Sequence, residues 1–300
     1  MKRRLLRLPG ILHGTVLRAG RHDCFNLAQS TAYSAIVALF PALIVAAAVV
    51  GLFPDNTPIR FQLSAFFNRI LPPNVSPLLQ SYFVDSPRNA RSAHVLIAAF
   101  LVSLVGASSV VATLMEGVRR ANELPEDCWT FLQRRLRALL LVPLSLVPFT
   151  VASILVVFGQ FIAETFATHT APSIRTPAYL VALLLRWAVT LAGSTGIIGL
   201  IYHMGTPMRQ SWKSVLPGAF VSTAMWFLST LIFGWYVTRF ANYSQVYGSL
   251  GAGIALLVWL YIISLSVLCG AEFNAEFHAR FSPSPTTDSE PPSPNGPPSV

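Results

Sequence analysis

Charge is what this 300-residue sequence has least of: 11% of its residues are Asp, Glu, Lys or Arg, against 53% that are hydrophobic. A soluble chain carries about 25% charged residues at about 45–50% apolar. The departure therefore lies in missing charge, and so few charges cannot cover a soluble surface. Cysteine is scarce too. Cys24, Cys128 and Cys269 form no CxxC or zinc spacing, and an odd, scattered set makes no disulfide framework. There is no GxxxxGK[ST] loop, no GxGxxG after a strand, no HExxH and no GxSxG. The six histidines (His13, His22, His94, His169, His203, His278) never approach metal-ligand spacing. The expectation is a protein that is not an enzyme and that uses no cofactor or metal.

What the sequence does have is long apolar runs. Crossing about 30 Å of hydrocarbon at about 1.5 Å per residue takes about 20 mostly apolar residues. Six runs qualify, at 28–53, 93–115, 138–163, 178–204, 215–237 and 246–271. Backbone polar groups in lipid must be satisfied within the segment, which forces helix. The runs are continuous rather than alternating, which excludes a β-barrel. The expected fold class is all-α, a polytopic membrane protein with six transmembrane helices.

Lys and Arg placement sets orientation. Lys2, Arg3, Arg4, Arg7, Arg18 and Arg21 precede the first span, and Arg119, Arg120, Arg134, Arg135 and Arg137 follow the second. Arg209 and Lys213 follow the fourth, and Arg280 closes the sixth. The opposite side holds only Arg60, Arg69, Arg88, Arg91, Arg175 and Arg239, with Arg186 inside the fourth span. Both termini are expected in the cytoplasm, with the chain in a bacterial inner membrane. The net charge of +9 is then mainly a topology signal, one that also suits anionic headgroups. The partners it implies are membrane lipids, together with a second copy of the chain or an envelope partner, and no nucleic acid.

Three regions follow. Residues 1–27 read as a cytoplasmic amphipathic segment, because Pro9, Gly10, His13, Gly14 and Arg18 interrupt any signal-peptide apolar core. Residues 28–277 form the six-helix domain. Residues 278–300 read as a disordered tail, since Ser282–Val300 holds seven of the 22 prolines. The first outer loop, 54–92, contains an expected interfacial helix, Phe61 to Leu71, ended by Pro72-Pro73.

Ionisable residues at membrane depth are the stronger functional signal, since a charge there costs at least about 2.5 kcal/mol. Arg186 stands about two turns into the fourth span, and Glu164 closes the third, one turn after Gln160. Either Arg186 and Glu164 pair at the outer mouth of a cavity, or Arg186 snorkels to the outer headgroups. Glu116, at the inner end of the second span, reads as an interface residue rather than a proton carrier. Glu272 and Glu276 share a helical face. They read as a solvated helix end or, because acids oppose the dipole at a C-terminus, as partners of Arg119 or Arg120.

Ala188, Ala192 and Gly196 recur every four residues and predict a close helix crossing. The run Tyr247-Gly248-Ser-Leu-Gly251-Ala-Gly253 predicts either another crossing or local unwinding around a substrate. Pro41, Pro143 and Pro148 predict kinks. Trp226, Trp235, Trp259 and Tyr261 read as interface anchors or as core.

In order along the chain stand Ala32-Tyr33, Leu39-Phe-Pro41, Gly106-Ala-Ser-Ser and Asn122. Then come Trp212-Lys-Ser-Val-Leu-Pro-Gly218, Trp226, Phe233-Gly-Trp-Tyr-Val237, Tyr247-Gly-Ser-Leu-Gly251, Trp259-Leu-Tyr261 and Gly270-Ala-Glu-Phe-Asn274. From Asp23 to Phe277 this series resembles the YihY/BrkB family of bacterial inner-membrane proteins, once labelled ribonuclease BN. The chain departs from it at Glu123 and Leu124, where an aromatic often follows the asparagine, and in the Pro-rich tail. The resemblance implies a six-helix inner-membrane fold and no established activity. The ribonuclease label is set aside, because a metal nuclease needs clustered His and Asp ligands.

The leading functional expectation is a transporter- or permease-like protein moving a solute, ion or lipid. The alternative is a non-transport scaffold or partner subunit in envelope biogenesis. The candidate cavity or motif positions are Arg186, Glu164, Gln160, Glu116, Asn122, Tyr247, Gly248, Gly251, Trp259, Tyr261, Glu272 and Asn274. If Arg186 and Glu164 pair, Arg186→Ala will abolish accumulation of folded protein and Glu164→Ala in the same chain will restore it. Independent effects on expression leave the snorkelling reading.

Overall fold

Apolar runs of this length have one stable backbone solution in lipid, and the structure adopts it. The computed structural model describes residues 8–51, 91–147, 172–207, 210–240 and 249–281. The helices are α1 (Leu8–Arg21), α2 (Cys24–Gly51), α3 (Arg91–Ala121), α4 (131–147), α5 (Pro172–Met204), α6 (Trp212–Phe240) and α7 (Ser249–Phe281). A 3-10 turn, Glu126–Cys128, stands between α3 and α4. There is no strand among the described residues.

Five of these helices (α2, α3, α5, α6 and α7) are long and apolar enough to cross a membrane. Only 17% to 33% of the most apolar window of each is buried inside the protein. Exposed leucine, valine and phenylalanine side chains cover the remainder, for example Ile97, Leu101 and Val105 on α3 and Leu228, Leu231 and Ile232 on α6. Only lipid can cover that much apolar surface, so the chain is a polytopic membrane protein. α4 is the described beginning of the span expected at 138–163. The rest of that span, the helix expected at 61–71, Pro148 and the tail from 282 lie outside the described residues. α2 continues unbroken through Pro41, and α6 through Pro217.

α7 is the central post, packed against α1, α2, α3 and α6, while α5 leans on α6 and α3. The main core is made of small and branched side chains: Ala28 of α2, Leu114 and Val118 of α3, Ala219 of α6, Leu268 and Ala271 of α7. A second cluster seats α4, with Ala138 and Leu141 against Val111 and Met115 of α3. α1 lies across the end of α7 with Ile11, Thr15 and Ala19, four residues apart, facing inward. Its outer face carries Leu12 and Val16, the apolar presentation of a helix at a membrane interface.

α6 and α7 cross closely at two glycines. A side chain on Gly218 would stand 2.6 Å from the Gly270 carbonyl oxygen, and one on Gly270 would overlap the Ser222 hydroxyl. That approach brings Tyr202 of α5 within reach, and its phenol bonds the Ser222 hydroxyl at 2.6 Å and donates to the Val267 carbonyl. Thr195 and Thr223 bond across α5 and α6 at 3.1 Å. Such interhelical bonds in lipid contribute about 0.6 kcal/mol on average, so close backbone packing does more to hold these helices together.

One sequence expectation does not hold among the described residues. Ala188 and Ala192 are exposed, and a side chain on Gly196 would meet no described atom within 4 Å, so that row forms no close crossing there. The spacing identified a helix face correctly, but α5 turns Ile198, Ile201 and Tyr202 inward instead. Of the two readings of the glycine run, unwinding is not seen where the run is described: the helix is regular from Ser249 through Gly253.

The contrast between the two glycine sites is measurable by thermal melting in detergent. Gly270→Val is expected to abolish the folded, monodisperse species, because the atoms opposing it include backbone. Gly196→Ala is expected to leave stability unchanged or raise it by up to about 1 kcal/mol, the helix preference of Ala over Gly.

Candidate functional site

Helix ends leave orphan carbonyls and a partial negative charge at the C-terminus, and cations gather there. The ends of α3 and α7 and the start of α2 meet α1 at one end of the bundle. Every ion pair between described residues lies at this charged end.

Its deepest member is Glu272 of α7, whose side chain is 0% exposed. Arg18 Nε donates to one carboxylate oxygen at 3.3 Å, and His22 Nδ1 lies 2.7 Å from the other. A carboxylate accepts, so Nδ1 carries the proton. The Cys24 thiol donates to the same oxygen at 3.7 Å. Arg18 extends the network by donating from Nη2 to the Ala121 carbonyl at the end of α3 (2.8 Å), and it pairs with Glu123 at 3.0 Å. Glu123 and Asp23 both have positive φ (53° and 62°), a conformation that Asp favours and Glu adopts less readily. The two sharp turns after α3 and α1 thus present their carboxylates to the arginines. Glu276, one turn after Glu272, bonds Arg280 Nε at 2.6 Å.

The expected partners of Glu272 were Arg119 or Arg120, or solvent; the structure replaces both. Those arginines are three and four residues from Glu116 on their own helix and close on it instead. Arg119 Nη2 and Arg120 Nε donate to one Glu116 oxygen at 2.6 and 3.0 Å. Arg119 Nε and Arg134 Nη1 donate to the other at 3.0 and 3.1 Å. Three guanidiniums converge on one carboxylate, and Glu126 and Asp23 stand 3.7 and 3.8 Å from Arg119 and Arg120, so the cluster is close to charge balance.

Glu116 also stands at one end of a lateral groove of about 660 Å³ between α2, α3 and α4. Its walls combine apolar residues, among them Leu27, Tyr33 and Phe131, with polar ones: Gln29, Ser30 and Ser34 on α2, Ser109 and Thr113 on α3, and Arg135 on α4. Ser109 and Thr113 donate to the carbonyls of Val105 and Ser109 on their own helix, the usual escape of hydroxyls in apolar surroundings. Arg135 Nη1 donates to Ser109 Oγ at 2.8 Å, and its guanidinium sits 5.6 Å from the Phe131 ring centre.

The other sequence candidates divide by location. Asn122 is at the charged end, donating to the Val118 carbonyl and accepting from Gln210 at 2.8 Å. Asn274 is buried and accepts the Gly218 backbone N–H at 3.2 Å, while His278 donates to the Ser214 carbonyl at 2.8 Å. Trp259 donates to Thr230 at 3.4 Å, and Tyr261 packs on the main core. Gly251 is buried near the opposite end of α7, about 30 Å from Glu272 at 1.5 Å per residue. Tyr247, Gly248, Gln160, Glu164 and the Arg186 side chain lie outside the described residues. The structure therefore joins Glu116, Asn122, Glu272 and Asn274 to one end and leaves Gly251 and Trp259 apart.

Arg18, His22, Ser30, Ser34 and Arg135 escape a reading of the sequence for site residues. Two signals point to them: the four-residue spacing of Arg18 and His22, and the polar face Ser109, Thr113, Glu116 on an otherwise apolar helix. Among the described residues no group of three or more His, Cys, Asp or Glu side chains is placed to hold a metal ion.

Removing one partner of a buried ion pair costs about 3–5 kcal/mol, whereas replacing both with apolar groups is often neutral. Glu272→Ala is expected to fall in that range by thermal or denaturant unfolding in detergent. The double variant Arg18→Met, Glu272→Met is expected to cost less than the two single changes together; additive costs would mean that the two side chains do not interact.

Residues 15–294 match the family model described as Virulence factor BrkB. A protein of Bacillus subtilis named as ribonuclease-like, YfkH, is 26% identical over 86% of this chain and 92% of its own length. A UPF0761 membrane protein of Alteromonas mediterranea is 26% identical over 90% of this chain and 88% of its own. A third, from Ralstonia nicotianae, shares 26% identity over 90% of this chain, which spans 59% of that protein. No solved structure matches. An inner-membrane location fits this kinship and the five apolar helices. With a family model matching nearly its whole length, the chain belongs to the BrkB family of membrane proteins.

Proposed function

We propose that this protein is permease-like and that the groove between α2, α3 and α4 is where its substrate, a solute, ion or lipid, engages the bundle. The observation that carries this reading is the groove itself: about 660 Å³, lined by hydroxyl, amide and guanidinium groups on membrane helices. Polar groups at such depth are expensive and tend to mark pathways. Arg135, which lines the groove and has no carboxylate partner among the described residues, places a positive charge on its wall, which attracts anions and repels cations. The excess of Lys and Arg at the charged end supports its placement in the cytoplasm.

A second reading, a scaffold or partner subunit in envelope biogenesis, draws on the close-packed core. Tyr202, Ser222, Thr195 and Thr223 are bonded to one another or to carbonyls, so the hydroxyls of the α5–α6–α7 side are spent on packing, although the buried His203 Nδ1 and Trp226 Nε1 have no hydrogen-bond partner among the described residues. A homo-oligomer fits either reading.

Flux through purified protein in liposomes, compared for ions, small solutes and labelled lipids, decides between them. Protein-dependent flux of one class is expected, and Thr113→Phe, which fills the groove, is expected to reduce it at least tenfold without changing the melting temperature. Folded protein that moves none of the three classes would overturn the permease reading in favour of the scaffold.

A further inference from the structure

We propose that the groove is a site for an anionic, phosphate-bearing lipid, with the headgroup on Arg135 and the acyl chains along the exposed faces of α2 and α4. This deepens the permease reading and rests on it for the purpose the lipid serves; binding is measured without flux.

Two arginines line the groove, and they are not equivalent. Arg134 is held by Glu116. Arg135 has no carboxylate partner among the described residues; its bond to Ser109 Oγ pins it in place and uses one of five N–H donors. What remains is an oriented guanidinium with open donors, the geometry that receives phosphate oxygens in pairs. On the facing wall, Gln29 and Ser30 have no hydrogen-bond partner among the described residues, so donors are also free there.

Shape then separates a lipid from a free anion. Away from the charged end the same walls turn apolar. Tyr33, Val37 and Phe40 continue the groove face of α2, all exposed, and Val142 and Leu146 follow Arg135 two and three turns on along the same side of α4, Leu146 exposed. A small anion would leave those faces unused, and an uncharged lipid would leave Arg135 without a counter-charge. A molecule anionic at one end and apolar over the rest satisfies both halves. The groove volume falls within the range of about 300–1,000 Å³ usual for small-molecule sites.

Nonspecific attraction of a basic protein end for anionic membranes supplies the control. Arg137 lies two residues further along α4, exposed and stacked on the Trp129 ring at 4.3 Å, and it does not line the groove. Replacing either arginine removes one charge from the same helix, and only Arg135 belongs to the site.

The test uses the full chain in phosphatidylcholine nanodiscs, titrated with phosphatidylglycerol and, separately, with inorganic phosphate. Saturable phosphatidylglycerol binding is expected, weakened at least tenfold by Arg135→Gln and by Ser34→Trp, and changed less than twofold by Arg137→Gln. Ser34→Trp blocks the facing wall without touching charge, so the result does not hang on how one arginine variant folds. Equal losses in Arg135→Gln and Arg137→Gln would reduce the effect to diffuse electrostatics and overturn the site. Phosphate binding as tight as the lipid's would overturn the lipid assignment in favour of a free anion. Specific binding without any flux supports the site and overturns only transport.

Discussion

A carboxylate sealed from water must be met by donors, and Glu272 meets that condition only when α1, the α1–α2 turn and α7 are assembled together. Desolvating such an ion costs several kcal/mol, and Arg18 and His22 offset it from residues about 250 positions earlier in the chain. Arg18 simultaneously caps the carbonyl end of α3. The interaction therefore fixes three helices around α7, the element that touches most of the others. The amphipathic amino-terminal helix is a structural strut. Gly10 and Gly14 lack the side chains that would hold α1 away from Arg280 and Glu276, which lets it lie flat against α7.

Scarce charge has a spatial consequence. The helices overrun their apolar stretches at the charged end: α3 continues past Met115 to Ala121, and α7 past Ala271 to Phe281. Those overruns hold Glu116, Arg119, Arg120, Glu272, Glu276 and Arg280, the residues that pair. In hydrocarbon such side chains would be prohibitive; at the interface they close helix ends and bind α1. The same end then carries the electrostatic stability of the bundle and borders the groove.

The helical fold was legible because an apolar run long enough to cross a bilayer admits only helix. Glu116 and Glu272 were legible as charges in costly places. Their partners were not. The dipole argument offered Arg119 or Arg120 to Glu272 beside a solvated helix end, but only the tertiary arrangement shows that those arginines turn back to Glu116 and that α1 supplies the missing cations. The small-residue row of α5 failed for a related reason: spacing states which residues share a face, not what that face meets. The α6–α7 crossing escaped notice because Gly218 and Gly270 lie on different helices, and no single-helix pattern joins them. The hydroxyl face of α3 was readable at positions 109, 113 and 116, yet its value depends on α2 and α4 standing opposite.

Two kinds of polar group on the helices separate by what they touch. Tyr202, Ser222, Thr195, Thr223 and Asn274 spend their hydrogen bonds between helices or on backbone on the α5–α6–α7 side. Gln29, Ser30 and Arg135 keep donors unspent, and they face the lateral groove instead of the bundle axis. A substrate path along the axis would have to break bonds that hold the helices together. One along the α2–α4 side breaks none of them and leaves apolar parts of the substrate in lipid throughout. On energetic grounds, a permease built on this fold would carry its traffic at the lipid-facing edge.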